Sequence, residues 1–290
     1  MSSAPELSII IVTYNSANFL ERCLASFGQC VDVRFEVCVV DNASEDGSVE
    51  YLKKNHPEVT VIVNPRNRGF AAAINQGLAA TSAPFVLWLN PDTEFLKGHF
   101  SQAIRFMEQN PENGILGLKI LNPDGSIQLS CRSFPSYETA LFNRYSLLTR
   151  LFPANPFSRK YLRTDWDHQT AGEADWVSGA CLLHRRTLIR DTGLLDERFF
   201  MYSEDVDFCK RAGSTGWKVL YYPDVNVLHH IAGSSRLIPW RMILERHRSM
   251  WAYYQKHFNP NPLKDLAVGA GIIVRGILVF IMEFFKKTKL

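Results

Sequence analysis

No Cys-x-x-Cys pair occurs in this chain, and its six cysteines, Cys23, Cys30, Cys38, Cys131, Cys181 and Cys209, sit mostly within apolar runs. That distribution argues against a disulfide frame and for buried thiols in a reducing compartment. Also missing are a G-x-G-x-x-G after the first apolar run and a G-x-x-x-x-G-K-[ST] anywhere. Their absence counts against a dinucleotide dehydrogenase and a P-loop NTPase. Neither sign of charge dominates: a formal charge of +3 over 290 residues, with no long Lys/Arg run before the tail, gives no argument for a nucleic-acid partner. The N-terminus lacks a basic start followed by an apolar core and a cleavage site, so the expected location is the cytoplasm.

What is present is a regular alternation. The apolar, β-branched run from Leu7 to Thr13 reads as a strand buried on both faces of a parallel sheet. Phe19, Leu20, Cys23, Leu24 and Phe27 follow at helical spacing, then strands over Phe35–Val40, Val59–Val63 and Phe85–Leu89, with a small-residue helix from Phe70 to Ala80. This β-α-β-α-β-α-β order predicts an α/β domain with a doubly wound, mostly parallel sheet. Parallel strands end at one edge, so Thr13, Asp41, the Arg66–Arg68 turn and Asp92 are expected to converge on one crevice. Asp41 can accept a hydrogen bond from a base N–H, and the Asn67-Arg68-Gly69 turn offers donors and a cation to phosphates.

The fourth strand, Phe85 to Leu89, stops at Asn90-Pro91-Asp92. Pro91 has no N–H for a ladder and stiffens the turn, leaving Asp92 as a carboxylate able to hold a hard cation. Read alone, the tripeptide is equally an ordinary strand cap. Beyond it the sequence predicts a helix over 98–110, a strand over 114–120, a turn at Asn122-Pro123-Asp124-Gly125-Ser126 leading into a hairpin, and an irregular excursion from 134 to 170 with one helix near 141–151. A strand from Ala174 to Leu183 follows. Ser203 is a candidate N-cap for the helix that opens with Glu204-Asp205, and Trp217–Tyr222 and Asp224–Leu228 complete the strands before His229-His230.

Taken in order, SIIIVTYN, VVDNASEDGS, NRGFAAAINQG, NPD, WVSGACLLHRR, FFMYSEDVDFCKR and VLHHIAGSS resemble the inverting family 2 glycosyltransferases of GT-A fold, closest to their bacterial rhamnosyltransferase branch. The resemblance spans about residues 7–236. It implies a nucleotide-sugar transferase domain over 1–236, with a nucleotide-binding half to about 97 and an acceptor half beyond. The implied reaction moves a sugar, L-rhamnose from dTDP-L-rhamnose in that branch, from a nucleoside-diphosphate donor to a glycan or lipid-linked glycan acceptor. Thr13, Tyr14, Asn15, Asp41, Asn67, Arg68, Asn90 and Asp92 would contact the nucleotide sugar. Asp92 and His229 would hold Mg²⁺ or Mn²⁺, with His230 the alternative to His229. Asp205 would be the base beside Glu204, and Ser178 and Gly179 would line the sugar and acceptor pocket with Trp176, whose other reading is packing. The chain departs from the family's D-x-D signature at its first position, Asn90, so Asp92 alone offers a carboxylate there. That departure makes a silent nucleotide-sugar-binding module the competing reading.

The last segment, 237–290, changes character. Trp240, Ile243, Leu244, Trp251 and Tyr254 recur at helical spacing among Arg241, Arg246, Arg248 and Lys256, and after Asn259-Pro260-Asn261-Pro262 an apolar span runs from Leu266 to Phe285. Asp265, Arg275, Glu283 and Lys286 project to one side of that helix, which favours a helix lying in the bilayer interface over one crossing it. An oligomer contact is the other use of such a face. The expected setting is peripheral, on the inner face of the cytoplasmic membrane.

Overall fold

A computed structural model of the chain describes residues 4–137, 139, 151–152, 155–230, 239–259 and 261–287. The first half follows the alternation: β1 (Leu7–Thr13), α1 (Ala17–Ala25), α2 (Phe27–Cys30), β2 (Phe35–Asp41), α3 (Ser48–Asn55), β3 (Thr60–Val63), α4 (Phe70–Ala80) and β4 (Phe85–Leu89). It continues through β5 (Thr93–Lys97), α5 (Phe100–Gln109), β6 (Asn113–Leu121), β7 (Cys131–Arg132), α6 (Pro156–Leu162), β8 (Gly172–Glu173), β9 (Trp176–Val177) and β10 (Cys181–Arg185). Then come α7 (Leu188–Thr192), α8 (Glu204–Ser214), β11 (Lys218–His229), α9 (Pro239–His257) and α10 (Pro262–Lys287). The main sheet runs β3-β2-β1-β4-β10-β6-β11-β5 with β8 beside β11, and β7 and β9 form a separate two-stranded sheet.

Strands β3, β2, β1 and β4 are parallel, so Thr13 lies opposite Asp41 at one edge. The second half is mixed: β10 runs antiparallel to both β4 and β6, and β5 runs antiparallel to β11, which is itself parallel to β6. Successive side chains point to opposite faces, and both faces are covered. Leu7, Ile9, Ile11, Leu87, Leu89 and Leu116 pack under α1, α2 and α5 with Leu20, Phe27, Phe100 and Met107. Ile10, Val86, Trp88, Ile115 and Leu182 pack on the other side with Ile74 of α4 and Phe208 of α8. Fully buried Trp88 meets Phe208 at 4.8 Å and His184 at 5.2 Å between ring centroids. Burial pushes the His184 imidazole down to about 4, so it serves the core as a neutral ring. All six cysteines are free and buried, and burial pushes Cys23 up to about 12.

Several local expectations change. The strand expected over 174–183 is two strands in two sheets, because the chain turns at Ser178-Gly179. The hairpin after Asn122 reduces to a single bridge between Leu121 and Ile127. Residues 218–229 form one strand whose register shifts between Tyr222 and Asn226. Ser203 makes no side-chain cap; its φ is 66°, and the first turn is instead tied by the Asp205 carboxylate on the Val206 N–H at 2.8 Å. The helix expected near 141–151 lies almost wholly outside the described residues.

The helices α9 and α10 form a pair. The Tyr254 hydroxyl donates to Asp265 at 3.0 Å, Gly269 and Gly276 sit against Trp251 and His247, and Arg275 reaches the Met250 sulfur at 3.4 Å. The polar positions Asp265 and Arg275 therefore face α9. Leu263, Leu266, Ile273, Ile277 and Phe280 are exposed. Pro262–Met282, 21 residues holding an 18-residue window of mean hydropathy 2.1, is long and apolar enough to cross a membrane.

Candidate active site

At the ends of β1 and β2 two polar atoms are buried without partners among the described residues: Thr13 Oγ1 and Asp41 Oδ2. The other Asp41 oxygen accepts from the Ser44 N–H at 3.0 Å. A buried acceptor left open is costly, on the order of 1–3 kcal/mol, unless a ligand completes it. Asn15 stands beside them with φ 51°, but its amide oxygen accepts from the Glu45 N–H at 2.8 Å and its own N–H donates to Ser44 Oγ at 2.9 Å. Its polar groups thus hold the 44–46 loop, which narrows the ligand role expected of it. Tyr14 is half-buried at the same edge.

The turn at 66–69 is set by amides that sequence reading did not single out. Asn42 Nδ2 donates to the Gly69 carbonyl at 3.1 Å, and its Oδ1 accepts from Asn64 at 3.0 Å and the Arg68 N–H at 3.3 Å. Asn64 is exchanged in turn with Gln76. Gly69, at φ 86°, admits no side chain, since a Cβ there would collide with the Phe200 carbonyl oxygen. Asn67 accepts from the Gly69 N–H at 2.9 Å, and the half-exposed Arg68 guanidinium lies 3.8 Å from Glu197.

At the end of β4 the fold brings Asn90, Asp92 and His229 together. His229 Nε2 is 3.3 Å from Asp92 Oδ1 and 3.5 Å from Asn90 Nδ2. Gln128, from the turn after β6, accepts from His229 Nδ1 at 3.1 Å while its amide nitrogen donates to the His229 carbonyl at 3.0 Å. That double contact orients the amide and puts a hydrogen on Nδ1, so Nε2 is the ring nitrogen that faces Asp92. Two ligands about 2.1 Å from one ion and at right angles stand about 3 Å apart, so the Asp92–His229 spacing fits neighbouring positions on one cation. Among the described residues no group of three or more His, Cys, Asp or Glu could hold a metal, so substrate oxygens would have to complete the shell. His230 is drawn elsewhere, onto Glu94 at 2.7 Å.

The acidic pair lies where α8 begins, after Tyr202 and Ser203 at φ 69° and 66°. Such left-handed conformations in non-glycine residues cost on the order of 1–3 kcal/mol each and persist only when surroundings hold them. Here α9 does so: Ser249 donates to the Met201 carbonyl at 2.8 Å and the Arg246 guanidinium lies 4.6 Å from the Tyr202 ring centre. Asp205 Oδ2 accepts from the Gly179 N–H at 2.9 Å, and a Cβ on Gly179 would stand only 3.4 Å from Asp205 Cβ. Burial raises Asp205 above the ordinary carboxylate range; the N–H groups of Gly179 and Val206 and the charge of Arg132 oppose it. Glu204 is buried with its Oε2 unpartnered among the described residues, and burial with the neighbouring Asp205 raises it well above its usual range. The two carboxyls are thus pushed apart, Glu204 keeping its proton the longer.

Asp207, on the same helix and fully buried, is bound by Lys256 and His257 of α9 at 2.7 Å each and by Arg211 at 2.9 Å. Trp176 is a correction: it is buried, with its indole N–H on the Ser133 carbonyl at 2.8 Å, and so offers no open platform to a sugar. Ser178 is half-buried, its N–H on the Ser130 carbonyl at 2.8 Å.

The sequence profile described as glycosyl transferase family 2 matches residues 8–166, more than half of the chain. The chain belongs to that family. It is 31% identical over 258 residues, 85% of this chain and 83% of the relative, to an N-acetylglucosaminyl-diphospho-decaprenol L-rhamnosyltransferase of Mycobacterium tuberculosis. A low-salt glycan biosynthesis hexosyltransferase of Haloferax volcanii is 27% identical over 229 residues, covering 78% of this chain and 67% of its own. Among solved structures, S. aureus TarS 1-349 in complex with UDP superposes with a TM-score of 0.56 at 18% identity, over 90% of this chain and 68% of that one. The Pyrobaculum calidifontis mannosyltransferase in complex with GDP-Man and Mn²⁺ gives 0.56 at 17% identity, over 95% and 72%. The fold is that of the GT-A glycosyltransferases, and the chain is a family 2 glycosyltransferase.

Sequence reading missed Gln128, Asn42 and Arg132. Each acts through a neighbour distant in sequence, and no local pattern marks it.

Proposed function

We propose that this enzyme is an inverting rhamnosyltransferase that moves L-rhamnose from dTDP-L-rhamnose to a sugar carried on a polyprenyl diphosphate, at the cytoplasmic face of the membrane. The likeness to the mycobacterial L-rhamnosyltransferase across 85% of the chain carries this reading. In it, Thr13 and Asp41 meet the nucleoside, Asn67 and Arg68 the ribose and diphosphate, and Asn90 the donor by hydrogen bonding. Ser178 and Gly179 line the acceptor pocket. Asp205, aimed by the Gly179 N–H, takes the proton of the acceptor hydroxyl. The freed oxygen attacks the anomeric carbon on the face opposite the diphosphate, whose C–O bond breaks, and the configuration inverts. A divalent cation at Asp92 and His229, Mg²⁺ or Mn²⁺, would neutralise charge on the departing diphosphate. Residues 1–236 form the catalytic domain, and the α9–α10 pair lays the exposed apolar face of α10 in the bilayer surface.

The test is transfer by the purified chain with a panel of dTDP-, UDP- and GDP-sugars on a diphosphate-linked N-acetylglucosamine lipid. Selective turnover of dTDP-L-rhamnose is expected; turnover of only UDP- or GDP-hexoses would overturn the donor assignment.

A further inference from the structure

Half-buried arginines in this fold are mostly saturated. Arg186 reaches Ala83, Leu78, Ser8 and Thr81, and Arg185 reaches Asn113 and Met107. Arg132 differs. It sits in β7 opposite Trp176, on the small sheet whose continuation is Ser178-Gly179. Its Nε donates to the Leu129 carbonyl at 2.9 Å, and its guanidinium carbon lies 5.2 Å from the Trp176 ring centre and 6.0 Å from that of Tyr161. Among the described residues its two terminal nitrogens have no hydrogen-bond acceptor and its charge has no carboxylate within ion-pair distance. It is the cation whose field acts on Asp205. A guanidinium pinned at one end, set over an indole, and without an acceptor among the described residues at either outer nitrogen is organised for a two-pronged anion, the geometry of a phosphate or carboxylate.

Solvent alone does not account for such pinning, and neither does packing, which the buried Trp176 supplies without a charge. An acceptor whose hydroxyl lies at Asp205 and whose first phosphate is a single sugar ring away would bring that phosphate along the same wall. We propose that Arg132 is the acceptor-phosphate site of this enzyme: it grips the phosphate of a diphosphate-linked acceptor by the N–H groups of its two outer nitrogens, and so selects lipid-linked over neutral glycans. The inference rests on the acceptor named in the proposed function.

The experiment is steady-state kinetics of the full chain with saturating donor and two acceptors sharing one sugar: a diphosphate-linked lipid and its uncharged O-alkyl glycoside. Wild type is expected to favour the diphosphate acceptor in kcat/KM. Arg132→Gln should cut that preference by about 10- to 100-fold, the loss of a charge-assisted contact. Arg132→Lys, which keeps charge without the fork, should restore part of it. A preference retained in Arg132→Gln overturns the assignment while leaving the acceptor reading intact. Equal losses on both acceptors also overturn it, making Arg132 a support of the wall. No preference in wild type would bring down the acceptor reading, and this inference with it.

Discussion

The two halves of the sheet hold their functional groups by different means. In the first half, Thr13, Asp41 and Asp92 stand at the ends of strands or just beyond them, and the loops between are tied by side chains of the same half, such as Asn42, Asn64 and Gln76. In the second half, Asp205 stands on a helix entered through two left-handed residues, and that entry is braced by α9, more than forty residues further on. Parallel strands place their ends by register alone. A carboxylate on a helix start entered through left-handed residues needs outside contacts to hold it. The C-terminal helix α9 therefore braces the start of α8.

The largest expected effect tests the centre of the second half. Asp205→Asn should lower kcat by about 10²- to 10⁴-fold with nucleoside-diphosphate affinity kept, as read by single-turnover transfer and calorimetry. Retention of near wild-type transfer would remove Asp205 as the base. Next, Gln128→Leu should release the His229 ring and weaken Mn²⁺ binding in the presence of nucleoside diphosphate by about 10- to 100-fold, measured by titration calorimetry or electron paramagnetic resonance. Unchanged affinity would mean that the imidazole needs no such support.

Lys256→Met tests the brace. It strips one cation from buried Asp207 and from Asp196, which keep His257, Arg211 and Arg198, so thermal unfolding should register a loss of about 1.5–3 kcal/mol, that of a hydrogen bond to a charged group, while nucleotide affinity holds. An equal loss of nucleotide affinity would erase the distinction between the halves.

The smallest effect concerns protons. Burial alone would raise Asp207, but His257, Lys256 and Arg211 hold it below the usual range, so its contribution to stability is present above the ordinary carboxylate range and is lost as pH falls through its lowered value. Glu204, raised by burial and by Asp205, has the opposite sign: its folded form favours the proton, so stability falls as pH rises from the ordinary carboxylate range toward its raised value. Glu204→Gln should then melt higher than wild type at pH 8 and about equal at pH 4, in a calorimetric scan. With Asp205 as the proposed base, activity should rise with pH through that group's raised range.

Much of this was legible beforehand, and the residues show why. Ile9, Ile10 and Ile11 in one unbroken run require cover on both sides of a strand, and alternating helices provide it. Pro91 ends pairing wherever it stands. From these follow the strand ends at which Thr13, Asp41 and Asp92 stand, because strand periodicity and crossover direction depend only on neighbours in sequence. The break at Ser178-Gly179, the insertion of β10 between β4 and β6, and the partners of His229, Asp205 and Asp207 come from Gln128, Gly179, Lys256 and His257. Those contacts join segments tens of residues apart, and only the packed sheet brings them within hydrogen-bond distance. Sequence by itself determined where polar groups leave the strands; tertiary structure decided which of them are aimed, braced or left open, because aim depends on what arrives from elsewhere in the chain.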